Sequence, residues 1–270
     1  MPGYGLGYSS LVRRSSGPSG PAYGTLTTAW IAATGETDTT ILGALNTLES
    51  DLTTYGLTAK MKALYPFVGG TAAKHKYNFM DARDLNAAFR LTFNGGITHS
   101  SNGIQFGGVN GWAETNLTTS AVLGQNSTHL SLYSRTNNGT AVVDISGDAG
   151  VQDGTPKMYI NFGGTNTFFS VNQANNSIIA DGSSSGMRLI SRINSTNEKL
   201  YKNGSVLLNS SQTSSTFGAA NTIQISNYAG SYRSNRQYAF GSIGLGLTDT
   251  EASNLYTAVQ AFQTTLSRQV

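Results

Sequence analysis

The chain has 270 residues, of which 38% are hydrophobic and only 11% charged, with a formal net charge of +3 and no cysteine. Disulfides, thiolate metal sites and cysteine nucleophiles are thereby excluded, and so small a charge excess does not point to nucleic acid. No apolar run approaches the roughly 18 residues of a membrane span, and the opening residues lack the apolar core of a secretory leader. The expectation is a protein made in a cytoplasm, with no signal peptide and no transmembrane segment, whose surface is built from Ser, Thr, Asn and Gly.

Residues 1–22 hold three of the five prolines, Pro2, Pro18 and Pro21, among many Gly and Ser. No apolar period survives there, so the stretch is either a disordered tail or an extended arm that orders on a partner. As an arm it would use Tyr4, Tyr8, Leu11, Val12, Arg13 and Arg14 as handles. Residues 23–66 read as helical. Leu26, Trp30 and Ile31 mark a first helix ending near Gly35. Thr37 and Asp38 offer an N-cap to a second, whose Ile41, Leu45, Leu48 and Leu52 form one face, with Gly56 placed to stop it. Thr58 is placed to cap a third helix from Ala59 to Leu64, ended by Pro66.

Tyr65 to Gly70 reads as the first strand of a sandwich, which opens a third region, 67–270. Residues 71–88 are irregular with one helical turn, and gather Lys74, His75, Lys76, Asp81, Arg83 and Asp84. That cluster reads as a salt-bridged loop fixing the helices to the sandwich, since a lone His beside Lys is a poor base.

The stretch Ile97–Leu117 organises the rest of the chain. Ile104 and Phe106 alternate with polar residues, Val109-Asn110-Gly111 turns the chain, and Trp112 anchors a second strand. β signals continue to the end: Phe89–Phe93, His129–Ser134, Ala141–Ile145, Met158–Phe162, Thr167–Val171, Met187–Ile193, a hairpin over Lys199–Leu207 with an Asn203-Gly204 turn, Thr222–Ser226 and Tyr238–Ile243. About ten short strands separated by turns mean an antiparallel sandwich or barrel. Thr248 to Glu251 is a capping box, and Ala252, Leu255, Tyr256, Val259, Phe262 and Leu266 form the stripe of a closing helix that would cover a sheet edge or pack on the earlier helices.

Gly103-Ile104-Gln105-Phe106, Leu200-Tyr201-Lys202-Asn203-Gly204 and the segment Ile243–Glu251 resemble landmarks of concanavalin A-like and laminin G-like jelly rolls, over roughly residues 67–262. The combination of MKALYPFVGGTAAKHKYNF, DARDLNAAFRLTFNGG and TEASNLYTAVQAFQTTLSRQ resembles jelly-roll proteins of tailed bacteriophages and prophages. The resemblance implies a mainly β fold, an antiparallel β-sandwich with an N-terminal helical segment and a C-terminal helix. It also implies a virion structural protein, a capsid or tail decoration or fibre component, and points to no catalytic residues.

Catalytic patterns are missing. Glycosidases of this fold carry Glu-x-Asp-x-x-Glu on one strand, as the resemblance implies; the full motif does not occur, and the two Glu-x-Asp pairs, Glu36 with Asp38 and Glu49 with Asp51, lie in the helical region, which leaves only distant pairs such as Glu114 with Asp144. His75, His99 and His129 have no acidic partner at metal spacing. There is no Gly-x-Ser-x-Gly elbow, and Gly107-Gly108 sits in a hairpin context, not before a helix. Asp144, Asp148 and Asp153 share one loop region, where turn-forming Asp is a sufficient reason and calcium the alternative.

The sequence therefore reads as a non-enzymatic virion protein, with no cofactor and no metal, held by its arm to other virion proteins and homo-oligomeric, a trimer being compatible. A free-standing carbohydrate-binding module is the second reading, with Trp112, Tyr228 and Tyr232 as candidate glycan contacts on a cell surface. A polysaccharide-cleaving enzyme is the third.

Overall fold

The computed structural model describes Met1 and residues 22–147, 154–173, 175–216, 221–228 and 230–270. The arm handles Tyr4, Tyr8, Leu11, Arg13 and Arg14 lie outside these residues, as do Asp148 and Asp153.

The chain begins with helix α1 (Thr25–Thr34), which Gly35 ends in the left-handed region at φ 63°. The Glu49 carboxylate, from the second helix, accepts from the Leu26 and Thr27 amides and so satisfies the free N-terminus of α1. Helix α2 (Thr39–Thr54) is N-capped by Asp38, which accepts from the Thr40 and Ile41 amides. Its expected stripe is the buried face: Leu45, Leu48 and Leu52 are buried, with Ile41 packed at the margin.

The third expected helix is absent. Thr58–Lys60 forms a single 3-10 turn, and Met61–Tyr65 is strand β1. It pairs antiparallel with the last strand, Leu64 opposite Ser242 and Tyr65 opposite Gly241. The sheet partner outweighs the good helix propensity of Met, Lys, Ala and Leu. The strand therefore lies earlier than Tyr65–Gly70, whose remainder is loop. Helix α3 (Ala72–His75) is the expected single turn.

The remaining strands are β2 (Thr92–Asn94), β3 (Ile97–Ser100), β4 (Gly103–Phe106), β5 (Trp112–Thr118), β6 (Thr128–Ser134), β7 (Ile145–Ser146), β8 (Lys157–Phe162), β9 (Asn166–Ser170), β10 (Ser177–Ala180), β11 (Gly186–Asn194), β12 (Asn197–Lys202), β13 (Ser205–Ser210), β14 (Thr222–Ile225) and β15 (Gln237–Gly244). One helical turn, α4 (Thr119–Val122), follows β5, and α5 (Asp249–Thr265) closes the chain.

They form two antiparallel sheets. The first runs β13-β12-β11-β6-β15-β4-β3, with β1 also on β15, and the second runs β10-β9-β8-β7-β14-β5-β2. Between them lies a core of Ile104, Phe106, Leu117, Leu130, Ile160, Phe169, Ile190 and Ile225, among others. A second core lies on the other side of the first sheet. There Trp30, Leu45, Leu48 and Leu52 from α1 and α2, and Leu255, Val259 and Phe262 from α5, meet Tyr133, Met187, Leu189 and Phe240. The result is three layers: helices, sheet, sheet. The closing helix covers a sheet face and packs on α2, with its capping box formed by Thr248 and Glu251. Strand β6, in the middle layer, is buried at every position.

Three local expectations are corrected. Gly107 and Gly108 do not lie in a hairpin, because β4 belongs to the first sheet and β5 to the second; the 107–111 segment carries the chain across the sandwich. Close approach explains Gly111, where a Cβ would sit 2.3 Å from the Gly96 carbonyl oxygen. The Phe89–Phe93 alternation yields a strand only from Thr92, since Phe89 ends a 3-10 turn at φ 58° and its carbonyl accepts from the Tyr65 hydroxyl. Likewise Ala141–Ile145 shrinks to β7. Val143 instead donates to the Tyr232 carbonyl, fixing the loop that carries Tyr232.

The charge cluster at 74–84 is the salt-bridged loop expected of it. Lys74 reaches Glu36 at 3.0 Å, joining the helical segment to the sandwich, while Asp84 accepts from Lys76 and Arg90, and Asp81 from Arg83.

Candidate functional site

The three-layer order leaves the outer face of the second sheet without a covering element among the described residues. Alternation along its strands decides what that face carries. In β5, Ala113, Thr115 and Leu117 turn inward and are buried, so Trp112, Glu114 and Asn116 face out. In β8 and β9, Met158 and Phe169 are buried opposite one another, and the adjoining pair, Tyr159 opposite Phe168, faces out. Ile178 of β10 lies opposite Phe168 and is 54% exposed.

Five aromatic rings meet there. Centroids of Tyr159 and Phe168 are 6.4 Å apart, Phe162 and Phe168 5.6 Å, Tyr159 and Tyr228 6.1 Å, and Tyr228 and Tyr232 6.2 Å. Phe162 also meets Tyr232 at 6.2 Å, closing the ring of contacts. Most of these pairs are edge-to-face, the favoured arrangement of aromatic quadrupoles. Together with Asn176 they line a cavity of about 210 Å³. The side-chain oxygen of Asn176 is withdrawn from water and has no hydrogen-bond partner among the described residues, a state that favours an incoming donor. The Lys157 ammonium sits 5.9 Å from the Tyr228 ring centre.

The 226–235 segment holds the two tyrosines in place. Ser226 donates to the Gly111 carbonyl and accepts from the Ser234 amide, so the loop is closed at its base. Tyr232 stands at φ 53° and is 52% exposed. A bulky residue in the left-handed region is strained, and such strain persists only where the surroundings fix it.

Trp112 does not join this cluster. It lies under Arg233, whose guanidinium carbon is 5.4 Å from the indole centre. Arg233 lines a neighbouring groove of about 430 Å³, with Val109, Thr140, Asn235 and Tyr232. Tyr232 belongs to both cavities, so they adjoin. Of the three candidate contacts, Tyr228 and Tyr232 fall in the cluster and Trp112 does not; Tyr159, Phe162 and Phe168 join it from strands, and nothing in the sequence singles out Arg233.

The other titratable groups are structural. Asp144 is fully buried, where it accepts from Arg236 at 2.7 Å, from the Tyr238 hydroxyl and from the Ile160 amide. Burial alone would lower the Arg236 pKa, yet the Asp144 carboxylate holds it above its usual value. Glu114 accepts from Gln224 and from the Asn116 amide, so Glu114 and Asp144 have separate partners and form no carboxylate pair. His129 Nδ1 donates to the Leu245 carbonyl and its Nε2 accepts from Ser242, which bonds Ser131 in turn. This Ser–His contact is fully buried and has no carboxylate behind it, unlike a hydrolytic triad. Nδ1 of His75 lies 3.0 Å from Nδ1 of His99, and burial, then His99, lower the His75 pKa to about 3. Among the described residues no three His, Asp or Glu side chains are grouped so as to hold a metal ion. None of their helices is long and apolar enough to cross a membrane.

No protein-family model matches the chain, and no curated protein sequence does. Solved structures do resemble it. The receptor-binding domain of botulinum neurotoxin C/D mosaic serotype matches with a TM-score of 0.50 at 13% identity, over 74% of this chain and 51% of that one. A Trypanosoma rangeli sialidase in complex with 2,3-difluorosialic acid matches with a TM-score of 0.51 at 11% identity, over 80% of this chain and 38% of that one. The matched region is thus about half or less of each of those two solved chains. At such identities the likeness is one of fold, a mainly β antiparallel sandwich.

Proposed function

We propose that this protein is a non-enzymatic β-sandwich module that binds carbohydrate on the outer face of its second sheet. The observation that carries this reading is the aromatic cluster of Tyr159, Phe162, Phe168, Tyr228 and Tyr232 around a cavity with an Asn176 oxygen that has no partner among the described residues. Sugar rings offer apolar C–H faces for stacking and hydroxyls for hydrogen bonding, and the cluster supplies a match for each. Two features speak against hydrolysis: the carboxylates of Glu114 and Asp144 are committed to separate partners, and the only serine bonded to a histidine in the described residues is buried.

The test is a glycan array followed by calorimetry on the full chain. Tyr232→Ala and Tyr159→Ala should each weaken binding at least about tenfold, roughly 1.4 kcal/mol, with the melting temperature little changed for Tyr232→Ala. Undiminished binding in both variants would sink the reading.

In its fuller form the reading is a virion component, a capsid or tail decoration or fibre protein of a bacteriophage. Such a protein would be held by residues 1–22 to other virion proteins, assemble as a trimer or other homo-oligomer, and display this face to a host-surface glycan. The resemblance of its sequence motifs and a surface of Asn, Ser, Thr and Gly support it. Light scattering on the full chain and on one beginning at Ala22 tests it. Oligomerisation of the full chain alone supports the arm as an assembly element, and two monomers would rule that out.

A further inference from the structure

We infer that the glycan taken by this face is acidic, and that its carboxylate or sulfate is received by Arg233 in the groove adjoining the aromatic cavity. This rests on the carbohydrate-binding reading above and names the ligand class within it.

The chain's structural arginines provide the contrast. Arg188, Arg192, Arg236 and Arg268 are fully buried, and each is saturated. Arg236 holds Asp144 together with the carbonyls of Asn138 and Thr140. Arg192 bonds Gln173 and the carbonyls of Val171, Asn194, Ser195 and Gln212. Arg188 pairs with Asp181, and Arg268 donates to the carbonyls of Phe67, Pro66 and Ala239. Arg233 is built differently. Its one hydrogen bond among the described residues is a long contact, 3.4 Å, from Nη1 to the Ser226 carbonyl. It makes no ion pair there, and its Nε is withdrawn from water without a partner. Glu114, which faces out from β5 as Trp112 does, is committed to Gln224 and Asn116.

The Trp112 ring supports one face of the guanidinium, which leaves the donors in its plane for a ligand. With Nη1 directed to a carbonyl, Nη2 and the unpartnered Nε are the donors left, and once the side chain turns its Nε toward the groove they form the fork that matches two oxygens of a carboxylate or sulfate. An Nε withdrawn from water without an acceptor is an unfavourable arrangement that a bound anion relieves. Tyr232 borders both cavities, so one oligosaccharide can stack in the first and set an acidic substituent into the second. No metal and no covalent step is involved.

The test compares matched probes on the full-length chain. Immobilised oligosaccharides bearing uronic acid, sialic acid or sulfate are set against their carboxyl-reduced, desialylated or desulfated counterparts. The wild-type chain should bind at least one acidic member about tenfold or more tightly than its neutral counterpart, and the preference should shrink as salt is raised. Arg233→Gln should reduce that ratio to within about threefold, and Arg233→Lys should restore it only in part, because an ammonium lacks the fork. The pair that shows the ratio tells whether carboxylate or sulfate is recognised. Equal binding of acidic and neutral members overturns this inference and leaves the carbohydrate-binding reading standing. A preference that survives in a folded Arg233→Gln chain overturns the assignment to Arg233. Binding of neither member by the wild-type chain overturns both. If the Gln variant fails to fold, the wild-type ratio and its salt dependence decide alone.

Discussion

Acid should weaken this fold well above the pH at which its carboxylates titrate, and His129 gives the effect its size. The imidazole is fully buried and neutral: its Nδ1–H points at the Leu245 carbonyl, leaving Nε2 to accept from Ser242. Burial lowers its pKa from 6.5 to about 4, the Leu245 contact opposing only in part. A histidine depressed in the folded state contributes stability that is intact above about pH 6.5. That stability is lost as pH falls from there toward the folded value, because only the unfolded chain takes up the proton. Between about pH 7 and about pH 5 the loss comes to about 2 kcal/mol. His75, lowered to about 3 by burial and by His99, adds a similar amount, for a total of about 4 kcal/mol against a typical stability of about 5–15 kcal/mol. The assay is urea unfolding of the wild-type chain and of His129→Gln at both pH values. The variant is expected to be less stable at neutral pH, yet its stability should fall by about 2 kcal/mol less between the two conditions. All other groups are common to both chains and cancel. Parallel losses in the two proteins would refute the assignment of the neutral, buried imidazole.

Single side chains carry further expectations. Arg268→Ala should cost about 3 kcal/mol, because it strips the carbonyls of Phe67 and Pro66 of their donor and leaves that of Ala239 to Gln263 alone; thermal denaturation should show a drop of roughly 6 °C or more, and an unchanged midpoint would mean that these bonds are dispensable. Asp144→Asn leaves the Arg236 guanidinium buried and uncompensated, at about 3–5 kcal/mol, measurable by denaturant titration; a cost below about 1 kcal/mol would mean that the pair is dispensable. Gly204→Ala meets both a φ of 77° and a Tyr256 ring carbon 2.9 Å from the new Cβ, so a loss of about 1–2 kcal/mol is expected in the same measurement.

What could be read from the sequence was whatever is local. The Asn203-Gly204 turn is a property of two residues, and both stand at positive φ, 49° and 77°. The capping box needs only Thr248 and Glu251, and the α2 stripe only its own spacing. What escaped was decided by partners distant in sequence. MKALY carries no strand alternation because β1 is packed on both sides, under the helices and over the inter-sheet core, so its burial pattern is nearly continuous. Arg236 looks like a surface residue until its remote acid is found, Asp144 at 92 positions away. The site divides in the same way. Tyr228 and Tyr232, outside the expected strands, stand out as aromatics, whereas Tyr159, Phe162 and Phe168 are absorbed into strand patterns. Alternation shows which residues share a face of a strand, but not which face of which sheet stays uncovered.

That last distinction is the reason to assign function to this face and not to another. Both faces of the first sheet are closed, one by helices and the other by the second sheet. Aromatic residues on those faces stabilise the fold by burial, at roughly 25 cal/mol per Å². The outer aromatics gain less, because Tyr232 and Ile178 keep about half of their surface in water, and Tyr232 also adopts a strained backbone. Stability alone would favour polar residues at these positions, as the Asn- and Thr-rich remainder of the surface has. Replacing Tyr232 by Asn should therefore leave the fold as stable or make it more so, since Asn tolerates a positive φ. The same change should abolish stacking in the aromatic cavity. A variant that melts at or above the wild-type temperature but binds no glycan would show that this side chain is retained for recognition; a clear loss of stability would return it to the scaffold.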